Sequence, residues 1–311
     1  MPVNVPRPRL PAWLKVRAPH GERYLWIRKR AAEQNLATVC QEARCPNIGE
    51  CWQGGTATFM LLGDTCTRGC RFCSVKTHRN PPPPEAAEPQ RIAQTIRDMG
   101  LDYVVLTTVD RDDLSDQGAA HMAQTIRRAK LASPGLLVEI LLPDFMGEVE
   151  CLQTVVASSP DVLAHNLETV ERLTPRVRDP RAGYAQSLAV LEKARQLALD
   201  LGATAHRPPA RTKSSLMLGL GETEAEVLAA MGHLRQAGVE FLTLGQYLQP
   251  DKHRLPVEEF IPPEQFAHLE QAGLEMGFTY VAAGPLVRSS YRAAEYYIAQ
   301  ALRSGDKAAQ G

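Results

Sequence analysis

Ala57-Thr58-Phe59-Met60-Leu61-Leu62-Gly63, followed closely by Cys66-Thr67-Arg68-Gly69-Cys70-Arg71-Phe72-Cys73, is the stretch on which the fold turns. The first part is a short apolar run stopped by glycine, the pattern of a buried strand. The second part hangs three thiols on the loop that leaves it. Five more short apolar runs follow, at 103–107, 136–142, 161–164, 215–218 and 241–244. Between them, 90–99, 118–131, 148–157, 184–201 and 223–237 have helical spacing. Strands alternating with helices imply parallel β/α units. Polar residues gather after the C-terminal end of each run: the cysteines, then Thr107 to Asp113, Asp144, Asn166, Glu222 and Gln246. In a β/α barrel that end carries the active site. The expected fold class is α/β, a partial (β/α)6 TIM-type barrel with N- and C-terminal extensions. A doubly wound open sheet is the alternative. The four prolines 81–84 make a rigid break after the cysteines. The expected division is an extension over 1–54, a barrel over 55–250 and a second extension over 251–311, with a final strand near 280–282.

The chain has 311 residues, 35 basic and 35 acidic side chains and zero formal net charge, which argues against nucleic-acid binding driven by bulk charge. No apolar run is long enough to span a bilayer. Residues 1–21 are basic and proline-rich, with a poor amphipathic pattern, so the expectation is a cytoplasmic protein with a floppy start; a mitochondrial transit segment is the alternative.

Six of the seven cysteines form two triplets, Cys66/Cys70/Cys73 and Cys40/Cys45/Cys51. Iron–sulfur cubanes normally take four thiolates. Three ligands leave one iron open to bind something that reacts, which points to an enzyme rather than an electron carrier. Structural zinc closes with four ligands, usually with C-x2-C pairs. Cys66 and Cys70 are spaced C-x3-C, and no histidine follows at finger spacing; His78 reads as a solvated turn residue. For Cys40/Cys45/Cys51 alone, zinc is harder to exclude. Disulfides need an oxidising compartment, and no apolar signal segment precedes the triplets. Cys151 reads as a small buried hydrophobe.

The C-x3-C-x2-C loop after a first strand resembles the radical S-adenosylmethionine superfamily. Cys40-x4-Cys45-x5-Cys51 and the late Arg288-Ser289-Ser290-Tyr291 resemble one family within it, lipoyl synthase. Supporting segments are Cys45-Pro46-Asn47-Ile48, Arg111-Asp112-Asp113-Leu114, Leu142-Pro143-Asp144-Phe145, Ala164-His165-Asn166 and Gly219-Leu220-Gly221-Glu222, and the likeness runs over about residues 13–297. It implies two 4Fe-4S clusters. Cys66, Cys70 and Cys73 would hold the one that cleaves S-adenosylmethionine. Cys40, Cys45 and Cys51 would hold an auxiliary cluster, consumed as sulfur donor, with Ser289 or Ser290 as fourth ligand and Ser289 preferred. The implied reaction inserts two sulfur atoms at the sixth and eighth carbons of an octanoyl chain on a carrier lysine, using two molecules of S-adenosylmethionine. Implied partners are octanoylated carrier domains (acyltransferase subunits of 2-oxoacid dehydrogenases and the glycine cleavage carrier protein), a ferredoxin or flavodoxin donor and an iron–sulfur carrier protein, without nucleic acid or membrane.

Secondary contacts follow from the same resemblance. Phe72 is expected near the adenine, and Thr107 and Asp113 near the methionine amine. Asn166 and Glu168 are expected near the ribose, and Gly219, Gly221 and Glu222 at the ligand after the fifth strand. Lys213 and Arg288 are expected to meet an anion or the carrier. Bland readings compete: a loop residue filling its own turn for Phe72, caps or solvated acids for Asp113 and Glu168, an ordinary strand-to-helix turn for the glycines, turn hydrogen bonds for the serines and a solvated surface for Lys213 and Arg288. Two departures stand out. Asp116-Gln117-Gly118-Ala119 replaces the usual D-G-G-A, which alters a helix start, and His206 to Arg211 read as a basic surface insertion, a candidate carrier contact. Competing functions are another radical sulfur inserter of the biotin-synthase or methylthiotransferase type, and a two-cluster electron carrier or zinc module.

Overall fold

The computed structural model describes residues 10–16, 19–34, 36, 38–42, 45, 47–53 and 58–290. Seven strands form one sheet in chain order: β1 (Thr58–Leu61), β2 (Tyr103–Thr108), β3 (Leu137–Leu141), β4 (Val162–Ala164), β5 (Arg211–Leu218), β6 (Phe241–Gln246) and β7 (Tyr280–Gly284). Every neighbouring pair is parallel. The sheet is therefore an open barrel with β1 and β7 at its edges. Four of the five connections between β1 and β6 carry a long helix: α2 (Glu88–Met99), α3 (Ala119–Ala132), α5 (Tyr184–Ala205) and α6 (Glu224–Gln236). The short α4 (Val149–Val156) joins β3 to β4, and α7 (Pro263–Glu275) precedes β7. α1 (Glu22–Glu33) lies outside and packs Tyr24 on Trp52, ring centroids 5.4 Å apart.

The strands are buried on both faces, as parallel strands under helices must be. One apolar core lies between β1–β4 and α2–α5, and a second between β5–β7 and α6–α7. A third, Tyr103, Val105, Val162, Phe241 and Ala282, fills the barrel floor. With the floor plugged, the interior opens at the C-terminal ends of the strands.

The structure corrects the expected elements at three places. The final strand, expected in the C-terminal extension, joins the barrel sheet itself by pairing with β6. β5 begins at Arg211, not 215, and α5 runs to Ala205, so the expected basic insertion is a short loop over 206–210 with Arg211 opening the strand. Arg211 is ion-paired to Glu240, and Arg207 N–H closes the helix end on Gly202 O at 3.1 Å. Lastly, Gln117 takes a left-handed backbone, φ 49°, at the start of α3. Its amide donates to Phe145 O at 2.9 Å, which offsets the strain of a side chain at that position.

Candidate active site

A cavity of about 930 Å³ sits at the C-terminal mouth of the barrel. Its first wall is the loop after β1. Leu62 ends the strand with φ 69°, and the Glu88 carboxylate accepts both the Leu62 N–H (2.8 Å) and the Gly63 N–H (3.3 Å). The chain then turns back so that Cys66, Cys70 and Cys73 all line the cavity. Arg68, between two of these cysteines, is 2 % exposed in its side chain. It forks onto Asp112 (2.7 Å) and reaches Asp144 (2.7 Å) and Asp110 (3.6 Å). Arg181 adds a bond to Asp112 at 3.0 Å. The thiol loop is thereby pinned to the loops after β2 and β3 by charge-assisted bonds.

Burial pushes the Cys66 and Cys73 thiols above their usual range and Cys70 up to about 12, with Asp110 adding to the shift of each. Asp110 itself is pushed up to about 6 by burial, against the pull of Arg68. Burial is the largest influence on Asp144 and opposes its charge, but the bond to Arg68, the Arg68 charge and the Met146 N–H act together to hold its carboxyl below the usual range. Backbone N–H groups already aim at sulfur: Arg68 N at Cys66 Sγ and Asp179 N at Cys70 Sγ, each 3.4 Å. Thiols so buried release their protons when a cation takes the protons' place, and such N–H donors tune an iron–sulfur centre. The donor set fits a cluster.

The second triplet comes from two short helices, Val39–Glu42 and Ile48–Gln53, and the turn between them, where Cys45 N–H donates to Cys40 O at 3.0 Å. Cys40 and Cys45 line the same cavity, while Cys51 is buried behind it. Arg288, Ser289 and Ser290 line it from the C-terminal side; Tyr291 lies outside the described residues, as do residues 1–9 and 17–18 of the expected floppy start over 1–21, within which Ala12–Leu14 form one 3-10 turn. The Arg288 guanidinium is held below its usual range by burial, partly offset by Cys45 beside it. No carboxylate lies within ion-pair distance of it among the described residues, so an anionic centre held by thiolates suits this half-buried cation. No disulfide joins any of the seven cysteines. Among the described residues, no group of three or more histidine, cysteine or carboxylate side chains is drawn together closely enough to hold a metal ion.

Of the other expected residues, Phe72, Thr107, Asn166 and Glu168 line the cavity. Asn166 Nδ2 donates to Glu168 Oε1 at 3.2 Å, and burial raises the Glu168 carboxyl. Asp113 is not brought there: it chelates Arg111, both bonds 2.8 Å. Gly219, Gly221 and Glu222 also stay out of the cavity. Glu222 accepts the Gly219 and Leu220 N–H groups, folding the loop on itself. Lys213 is 1 % exposed inside the barrel and salt-bridged to Glu139 at 2.8 Å, with Tyr103 OH on the same carboxylate at 2.5 Å. A buried, paired lysine cannot meet a carrier. Arg68, Asp110, His165 and Arg178 also line the cavity; the sequence assigned no role to any of them, although Arg68, Asp110 and His165 fall in stretches it singled out. Arg178 donates to Ser187 Oγ at 2.7 Å, so that hydroxyl donates to His165 Nε2 (2.9 Å), and Nδ1–H donates to Leu142 O (2.9 Å). His165 is thus neutral, its pKa lowered to about 4 by burial and by Arg178.

A parallel open barrel with a C-x3-C-x2-C loop at its mouth is the architecture of radical S-adenosylmethionine enzymes, and the model of that superfamily matches residues 60–241. A second model, the N-terminal domain of lipoyl synthase, matches residues 3–45. In fold, the chain is similar to the FeFe-hydrogenase maturase HydG (TM-score 0.55, 15 % identity, 72 % of this chain and 50 % of that one). It is also similar to Streptococcus suis SuiB bound to its precursor peptide SuiA (TM-score 0.51, 10 % identity, 84 % and 53 %). In sequence it is 57 % identical to the lipoyl synthase of Anaeromyxobacter sp. over 95 % of this chain and 97 % of that protein. It is 56 % identical to the mitochondrial lipoyl synthase of Drosophila grimshawi over 96 % and 81 %. The chain belongs to the lipoyl synthase family. Membership in the superfamily implies an enzyme that uses S-adenosylmethionine and a 4Fe-4S cluster.

Proposed function

We propose that the chain is a lipoyl synthase that inserts two sulfur atoms, at the sixth and eighth carbons, into an octanoyl chain carried on the lysine of a carrier domain. The observation that carries this reading is that cysteines of both triplets, with Arg288 and the two serines, face one cavity. Cys66, Cys70 and Cys73 would hold the first cluster, which when bound supplies the electron that splits S-adenosylmethionine into methionine and a carbon radical. Cys40, Cys45 and Cys51, with a serine, would hold the second, which supplies sulfur. An octanoyl C–H bond has no acidic proton, so no acid–base pair in the cavity would suffice. The protein's tasks are to bind, orient and keep water out. Phe72 offers a flat apolar face to a base. Thr107, Asn166 and Glu168 offer polar atoms to an amine or ribose, and the Asn166 amide holds the Glu168 carboxylate in place. Leu141, Met217 and Phe260 supply apolar wall for an alkyl chain. Arg288 offsets negative charge beside Cys45.

Both serines line the cavity, and the Ser290 hydroxyl is already engaged by Thr58 at 2.9 Å. Ser289 remains the preferred iron ligand, since its release would not require breaking that bond. A hydroxyl is a harder and weaker partner for iron than a thiolate, which suits a cluster that is given up. On this reading residues 1–54 carry the auxiliary triplet, 55–250 the main barrel, and 251–311 the serines. Octanoylated carrier domains are the substrates. A reduced ferredoxin or flavodoxin and an iron–sulfur carrier protein complete the cycle. Anaerobic reconstitution tests this reading. The account expects about eight irons per chain and deoxyadenosine formed with an octanoyl-lysyl peptide and reductant. Cys73→Ala should abolish deoxyadenosine, and Cys45→Ala should retain it while losing sulfur insertion. Full product from Cys45→Ala, or bound zinc with no deoxyadenosine, contradicts the reading.

A further inference from the structure

The chain leaving β7 crosses the open seam of the sheet. β7 ends at Gly284, and shortly after it Ser290 meets Thr58 on β1, at the opposite edge. Two further contacts seat this arm. The Asn47 side chain, in a residue 3 % exposed, donates to Leu286 O at 2.6 Å. At the end of β6, Gly245 leaves a void that Val287 fills: a Cβ there would lie 2.1 Å from the Val287 carbonyl oxygen and 3.4 Å from Arg288 Nη1. Arg288 Nη1 closes the turn by donating to Val287 O at 2.6 Å. Asn47 is tied in the other direction as well, since its backbone N–H supports the Cys45 sulfur. One residue therefore touches a thiol of the second triplet with its main chain and the serine-bearing arm with its side chain.

We propose that Asn47 is the positioning residue that registers the arm over residues 284–290 against the second cysteine triplet, and that Gly245 is the gap in which the arm lies. This rests on the reading of that triplet and the serines as a cluster site. A neutral amide suits the task. It gives a buried carbonyl the donor it needs without placing a formal charge beside the Cys45 sulfur. Gly245 acts from the opposite side, because a methyl group there meets backbone rather than a movable side-chain tip.

Hydrogen exchange read by mass spectrometry, with iron counted on the same anaerobically reconstituted samples, tests the proposal. Wild type is expected to hold about eight irons with slow exchange across 284–290. Asn47→Ala leaves the backbone N–H on Cys45 untouched, so its effect reports the side chain alone. That variant is expected to exchange about tenfold faster or more over 284–290 and to retain about four irons, with β2 to β5 exchanging as in wild type. Gly245→Ala is expected to give the same pattern and decides the matter if Asn47→Ala does not fold. Eight irons retained in Asn47→Ala overturns the proposal, whatever the arm does. Four irons in the wild type would instead overturn the two-cluster reading beneath it.

Discussion

Arg68 carries the heaviest electrostatic duty of any single side chain at the site. Its guanidinium balances Asp110, Asp112 and Asp144 from a position that water scarcely reaches. Removing one partner of a buried charge network leaves the others uncompensated, at a cost of about 3–5 kcal/mol. Arg68→Ala should therefore unfold at markedly lower urea concentration than wild type and fail to load the first cluster; an unchanged midpoint would show that the network is dispensable. His165 gives a second prediction. Its pKa near 4 lies below the ordinary value of 6.5. Between those two values the unfolded chain binds a proton that the folded chain does not, so stability falls as pH falls through this window. The full loss is about 3 kcal/mol by the lower end. Urea midpoints of His165→Gln should follow pH less steeply than wild type there, and parallel curves would contradict the assignment. The thiols were readable because their spacing is local. Arg68 was not: its partner Asp144 lies 76 residues away, and no periodicity links the two. Lys213 was misjudged for the same reason, since only the strand order, with β3 and β5 on either side of β4, reveals Glu139 beside it.

At the level of elements, strands and helices stood close to where apolar spacing put them, because each strand is buried on both faces and each helix has one apolar stripe. Ends were less legible. β5 extends back to Arg211 because Thr212, Lys213 and Ser214 are buried between strands despite their polarity, and a polar run hides a strand from a hydrophobic pattern. The loop after β5 was expected to approach a ligand, but its glycine serves the fold. Gly219 has φ 96°, and a Cβ there would lie 2.2 Å from Gln246 Nε2 and 2.4 Å from Glu259 O. Gly219→Ala should destabilise by at least about 2 kcal/mol, from backbone strain and overpacking together. Thermal unfolding measures this, and a cost below about 0.5 kcal/mol would contradict the packing described.

For the molecule as a whole, the parallel sheet gives the barrel two unlike ends. Both cysteine triplets, the serines and the cavity belong to the mouth, and the loop before β5 belongs to the other end. On the proposed function, a carrier domain presenting an octanoyl-lysine would therefore approach from the cysteine side. Charge reversal at Arg207 is expected to leave carrier affinity unchanged, as titration of the octanoylated carrier against the variant would measure; weakened binding would move the docking face. The open seam between β1 and β7 is bridged by the serine-bearing arm, so the arm meets the segment of the second triplet at the site where sulfur would be given up. The most direct test is a single turnover with protein whose clusters were rebuilt from heavy-isotope sulfide, followed by mass spectrometry of the octanoyl-lysyl peptide. The account predicts a product carrying two heavy sulfurs, both drawn from the protein. A product with light sulfur from solution, or a peptide without sulfur despite deoxyadenosine release, would contradict it.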